Sequence, residues 1–127
     1  MTRGLVLFAH GARDPRWAEP FEAIAARARA QQPTCQVQLA YLELMSPTLP
    51  EAGAALAARG CERIDIVPLF LGAGGHVRKD LPVLVDALRA AHPRIRWQLQ
   101  RPIGEQPSVI DAIADAALSS LSDELPP

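Results

Sequence analysis

An α/β fold, a parallel sheet lying between layers of helices, is predicted by three observations. Short runs rich in Val, Leu and Ile recur at Gly4 to Ala9, Val37 to Leu42 and Ile64 to Leu71, each bounded by turn residues. They read as buried parallel strands. Between these runs the apolar period lengthens from two residues to about 3.6, the repeat of a helix. The two patterns alternate as βαβαβαβα, and parallel strands joined through helices require right-handed crossovers.

The elements follow in order. Trp17, Phe21, Ile24 and Ala28 share the first helical face; Asp14-Pro15 is a good entry, but Pro20 lacks an amide hydrogen, so either a kink or a later true start near Glu19 is expected. The second helix begins at Thr48, where Glu51 completes a capping box, and Gly60 offers a left-handed stop. Leu49, Ala52 and Leu56 form its apolar face. Leu81, Leu84, Val85 and Leu88 mark the third helix. Ile95 to Leu99 alternates apolar with polar side chains, as an edge strand with one wet face does. Ile110, Ile113, Ala117 and Leu121 mark the fourth helix. The expected architecture is a three-layer αβα, flavodoxin-like domain with a four-stranded parallel sheet in the order 2-1-3-4. One domain spans residues 1–127, with about 122–127 as a frayed tail.

With 127 residues, 49% of them hydrophobic and 21% charged, the chain can bury one core but not two. A net charge of −1 argues against a nucleic-acid surface, which needs an excess of Lys and Arg. The longest apolar run, Val67 to Ala73, falls far short of the roughly 20 residues of a spanning helix, so no membrane partner is expected. The apolar stretch at Gly4 to Ala9 is too short for a signal peptide, so a cytoplasmic location is expected. Cys35 and Cys61 form no CxxC and read as ordinary core or surface residues rather than a disulfide or zinc site.

Open α/β sheets bind ligands beyond the carboxyl ends of their strands. His10 follows strand one, Glu43 follows strand two, and His76 comes five residues after Leu71. Each alone is a weak signal; a lone histidine is more often structural, and Glu43 could equally pair with an arginine. Together, two imidazoles and a carboxylate suit a borderline divalent metal such as Fe, Co or Ni in an open site. Arg13, Arg16, Arg78, Lys79 and Arg101 fall in loops or first turns on the same rim. As a set they suggest a basic collar for an acidic ligand, since guanidinium pairs with carboxylate through two parallel hydrogen bonds. Gly72-Ala73-Gly74-Gly75 precedes His76, and glycines permit positive φ and close approach of a flat ligand. A phosphate loop fits poorly: GxGxxG would need glycine at Val77, and a P-loop would need Gly-Lys followed by Ser or Thr.

His10-Gly-Ala-Arg-Asp-Pro15, Leu42-Glu43-Leu44-Met45-Ser46-Pro47-Thr48-Leu49, Val67-Pro68-Leu69-Phe70-Leu71, Gly74-Gly75-His76-Val77-Arg78-Lys79-Asp80-Leu81-Pro82 and Pro102-Ile103-Gly104 resemble, in this order, the sirohydrochlorin chelatases of the small CbiX type. The resemblance covers nearly the whole chain. It implies a chelatase-like domain, a homodimer in which two copies supply the two halves of the fold, and insertion of a divalent metal into a tetrapyrrole. Cobalt is the leading metal, with iron and nickel as alternatives, in cobalamin or siroheme synthesis. The metal is substrate, and no permanently bound cofactor is implied. By this resemblance His10 is metal ligand and proton acceptor, and His76 the second ligand. Leu44 and the segment Leu71, Gly72, Ala73, Gly74, Gly75 and His76 would contact the macrocycle, with Glu43 an acidic partner. Arg13 and Arg78 would meet its peripheral carboxylates. One departure is Ala12, where the family often has serine, which puts a local hydrogen bond in question.

The chemistry fits these residue types. Insertion strips water from the ion and removes two pyrrole protons, and imidazole, with an unperturbed pKa of about 6.5, can serve as ligand and as base. Two alternatives remain open. A histidine phosphotransferase would use a histidine after strand one, but such enzymes typically carry Arg-His-Gly, and here Ala9 precedes His10. A metal carrier or sensor would need the histidines but neither the collar nor the glycine segment.

Overall fold

The computed structural model describes residues 2–122, the side chains of His76 and Ser122 excepted. The elements are β1 (Arg3–Ala9), a 3-10 turn (Pro15–Ala18), α1 (Glu19–Gln31), β2 (Gln36–Tyr41), α2 (Leu49–Ala58), β3 (Arg63–Pro68), α3 (Gly75–Ala91), β4 (Arg96–Leu99), a second 3-10 turn (Ile103–Glu105) and α4 (Pro107–Ser122). All strand pairs are parallel, in the order β2-β1-β3-β4. The expected frayed tail at 123–127 lies outside the described residues, and Ser122 closes α4.

Alternation along the central strands sorts their side chains between two cores. Val6, Phe8, Ile64 and Ile66 point to one face, where Leu49, Ala52 and Leu56 of α2 and Leu81, Val85 and Leu88 of α3 meet them. All four strand residues are fully buried, each contributing about 1.5–3 kcal/mol relative to exposure. Leu7, Ala9, Val37, Leu39 and Tyr41 point to the other face, against Ala18 and Ala25. Thr48 caps α2 in the reciprocal box with Glu51, which holds the Glu51 carboxyl below its usual range. Gly60 sits at φ 83, the left-handed stop the sequence offered.

Two boundaries differ from the sequence expectation. β3 ends at Pro68 rather than Leu71, because β1 offers one further acceptor, the Phe8 carbonyl that takes the Leu69 amide at 2.7 Å, and then runs out. The chain from Phe70 onward therefore leaves the sheet. α3 begins at Gly75, so His76 and Arg78 lie in its first turn rather than in a loop. α1 starts at Glu19, as expected, with Pro20 at its second position, where no amide hydrogen is needed.

α4 is helical as expected, but its apolar face meets almost nothing. Ile110, Ile113, Leu118 and Leu121 are 52%, 46%, 61% and 57% exposed. The helix touches the rest of the chain mainly through the Ile103–Glu105 turn. The sheet face carrying α1 is correspondingly half bare: an apolar groove of about 580 Å³ opens between Leu5, Leu7, Phe21, Ile24, Val67 and Leu69. No helix among the described residues is long and apolar enough to cross a membrane.

Candidate active site

The carboxyl ends of β1, β2 and β3 carry the residues that sequence reasoning selected. Pairing between β1 and β2 continues past both strands: the Leu42 amide donates to the Ala9 carbonyl at 2.9 Å and the Glu43 amide to the His10 carbonyl at 3.1 Å. This fixes the two side chains next to each other. His10 Nε2 lies 3.3 Å from Glu43 Oε1, and both side chains remain about half exposed, at 50% and 56%. Phe70 stands edge-on to the imidazole, with ring centroids 6.2 Å apart.

Gly11 makes this approach possible. It sits at φ 98, and a Cβ there would overlap the carbonyl oxygen of Glu43. Only glycine satisfies both conditions. The loop after β2 then folds back, with the Tyr41 amide donating to the Pro47 carbonyl at 2.9 Å. At its tip Leu44 is held at φ 64, a left-handed conformation that costs a side-chain-bearing residue about 1–2 kcal/mol, and its side chain is 59% exposed. An exposed leucine in a strained conformation fits a contact surface for an apolar ligand.

The collar divides when its partners are examined. Arg16 donates to Asp14 through its backbone and side chain, and the guanidinium holds the Asp14 carboxyl below the usual range. Arg78 donates Nε to the Ala73 carbonyl at 2.8 Å and Nη2 to Glu105 Oε2 at 3.1 Å. Arg101 Nε lies 3.9 Å from the same carboxylate. Arg13 differs, because it lines a cleft of about 330 Å³ beside Leu44, Met45, Tyr41 and Glu22. Burial pushes the Tyr41 phenol, and the Cys35 and Cys61 thiols, above their usual pKa values. Both cysteines are free thiols.

On the third side the chain runs through Leu71, Gly72, Ala73, Gly74 and Gly75 to His76. Leu71 is 72% exposed. The positive-φ argument for these glycines fails: Gly11 and Gly60 are the described glycines with positive φ. A Cβ at Gly72, Gly74 or Gly75 would meet nothing within 4 Å, so these positions leave an open stretch of backbone instead. The His76 backbone lies in the first turn of α3, and its side chain lies outside the described residues. Among the described residues no group of three or more His, Cys, Asp or Glu is placed to hold a metal ion, so the described part of the rim is the His10–Glu43 pair. Sequence reasoning missed Gly11, Phe70 and Glu105. A glycine directly after a strand-end histidine was the one available signal.

A parallel sheet that presents an imidazole, a carboxylate and an open glycine segment at its carboxyl rim has the form of a ligand-binding α/β domain. The CbiX family model matches residues 4–120. The chain is 29% identical over 121 residues to the sirohydrochlorin cobaltochelatase of Sulfolobus acidocaldarius, covering 95% of this chain and 94% of that one. It is 25% identical over 113 residues to the sirohydrochlorin ferrochelatase of Bacillus subtilis, covering 89% of this chain but 43% of that protein, so it spans less than half the longer relative. The crystal structure of a CbiX protein from Marinobacter aquaeolei VT8 superposes with a TM-score of 0.84 at 36% identity, covering 95% of this chain and 98% of that one. The chain belongs to the CbiX family.

Proposed function

We propose that this chain is a sirohydrochlorin chelatase, inserting a divalent metal into the macrocycle in the cytoplasm. Cobalt is the first candidate, since the relative of matching length is a cobaltochelatase; iron is the second. The observation that carries the reading is the His10–Glu43 pair, 3.3 Å apart and open to solvent on the rim.

Insertion must deliver the ion and collect two protons. The His10 Nε2 lone pair serves both tasks in succession. It first holds the ion with His76 as second ligand; once the ring nitrogens take the ion, the freed lone pair accepts a pyrrole proton. Glu43 Oε1 then receives that proton and passes it to water, which frees the lone pair to take the second pyrrole proton by the same route. Leu44, Leu71 and the bare backbone from Gly72 to Gly75 offer the flat, partly apolar surface that the ring faces need. Arg13 meets a peripheral carboxylate from the neighbouring cleft.

A second copy of the chain completes the site. One chain carries both an apolar helix face without a core to cover, on α4, and an open apolar groove beside Leu69 and Leu71 that its own α4 reaches only through Val109. A dimer in which each α4 reaches the other copy's groove buries both surfaces at once and walls the ring-binding side.

One experiment tests both statements. Sedimentation velocity, recorded at the macrocycle absorption band after mixing protein, sirohydrochlorin and Co²⁺, should show the metallated spectrum travelling with two chains. Cobalt binding with no gain in insertion rate over protein-free solution would favour a metal carrier and overturn the chelatase reading. Product carried by a single chain would remove the dimer.

A further inference from the structure

The segment from Leu71 to Gly75 poses a mechanical problem. It leaves the sheet after Leu69, its one large side chain points into solvent, and its glycines touch nothing within 4 Å of where a side chain would begin. Beneath it, between Pro68, Ala73, Leu81, Leu99 and Pro102, lies a cavity of about 120 Å³. Side-chain packing therefore does not hold this loop. A loop with so few buried apolar contacts ought to open locally at little cost, yet a metal-transfer site tolerates little misplacement of its ligands.

Two contacts from the connection after β4 supply what the loop lacks. The Gly104 amide donates to the Phe70 carbonyl at 2.9 Å, and Gly104 lies so flat on Leu71 that any Cβ would overlap the Leu71 backbone. The Glu105 carboxylate accepts from Arg78, whose Nε reaches the Ala73 carbonyl at 2.8 Å. The loop is gripped at 70–71 and again at 73, on either side of Gly72. Phe70 in turn contacts the His10 ring, which ties the first grip to the other side of the rim.

We propose that Pro102–Glu105 is a brace, with Gly104, Glu105 and Arg78 as positioning residues that set the glycine loop and the following His76 against His10. This deepens the chelatase reading and assigns Arg78 a different duty from the collar: its guanidinium faces inward to a carbonyl and a carboxylate rather than outward to the substrate. Arg78 is 59% exposed and Glu105 30%, so the ion pair is partly screened and its effect is modest. The Gly104 contact is steric and should matter more.

The test combines amide exchange of the intact protein, read on peptides spanning 70–78, with a two-substrate chelation assay. Glu105→Gln and Arg78→Ala should each speed exchange in this segment by about three- to fivefold. The double variant should add nothing further, because both act through one contact. Gly104→Ala should exceed tenfold, roughly what 1.4 kcal/mol of local destabilisation gives. In the assay, Glu105→Gln should raise the metal concentration for half-maximal rate and leave that for the ring unchanged. If Arg78 instead grips a ring carboxylate, Glu105→Gln frees it and the half-saturating ring concentration falls; that result, or unchanged exchange in Glu105→Gln and Arg78→Ala, overturns the brace. Exchange reads the loop without turnover, so failure of the brace and failure of the chelatase reading are separable.

Discussion

His10 and Glu43 leave neighbouring strands and remain bonded to each other's backbone, with the Glu43 amide on the His10 carbonyl at 3.1 Å. The opposite side of the rim, from Leu71 to His76, leaves the sheet at a point where β1 has no acceptors left and crosses a cavity before α3 begins. The first side inherits its geometry from the ladder, the most rigid part of the domain. The second depends on contacts made from a distant turn. A base that must meet a proton within hydrogen-bond reach belongs on the side set by the ladder, whereas the ligand on the other side relies on the brace for its position. The division of labour proposed for His10 and His76 follows from that mechanical difference.

Substitutions on the two sides should therefore fail differently. His10→Ala should cost the most, about 10²- to 10⁴-fold in turnover even at saturating metal, because added metal cannot replace a placed proton acceptor. Its stability should stay within about 0.5 kcal/mol of the parent, since the side chain is half exposed. Steady-state assays with a urea titration check both halves of that statement, and near-normal turnover would remove the base role. Gly11→Ala comes next and should damage fold and rate together. A Cβ at φ 98 that overlaps the Glu43 carbonyl should cost about 2–4 kcal/mol in urea unfolding, and turnover should drop as the His10–Glu43 pair separates. Unchanged stability would show that the ladder extension is softer than its hydrogen bonds suggest. His76→Ala should be the mildest: the metal concentration for half-maximal rate should rise about tenfold, the loss of roughly 1.4 kcal/mol of ion binding, with a smaller change in limiting rate. An unchanged metal titration would take His76 out of the metal site.

Much of the fold was legible because it is written in short-range patterns. The apolar runs gave β1, β2 and β3, Thr48 with Glu51 gave the start of α2, and Pro20 announced the late start of α1. The observed strand order is the one expected of a flavodoxin-like arrangement, among the few that right-handed crossovers leave for four alternating units. Parallel pairing of β1 and β2 puts their carboxyl ends, and with them His10 and Glu43, on one rim.

The sequence by itself therefore determined which residues form strands and helices and which end of the sheet carries the chemistry, since periodicity, caps and handedness act through near neighbours. Tertiary structure alone decided how those residues meet. It brought Glu43 to 3.3 Å from His10, which needed the two strands in register and a glycine that no periodicity marks. It turned Arg78 inward onto Glu105, 27 residues away, where the sequence offered only another basic residue near the rim. It also carried α4 off the sheet, leaving the face of Ile110, Ile113 and Leu121 uncovered although its pattern is that of any core-facing helix. An amphipathic pattern specifies that a face will be buried, not which surface buries it, because area removed from water carries no address.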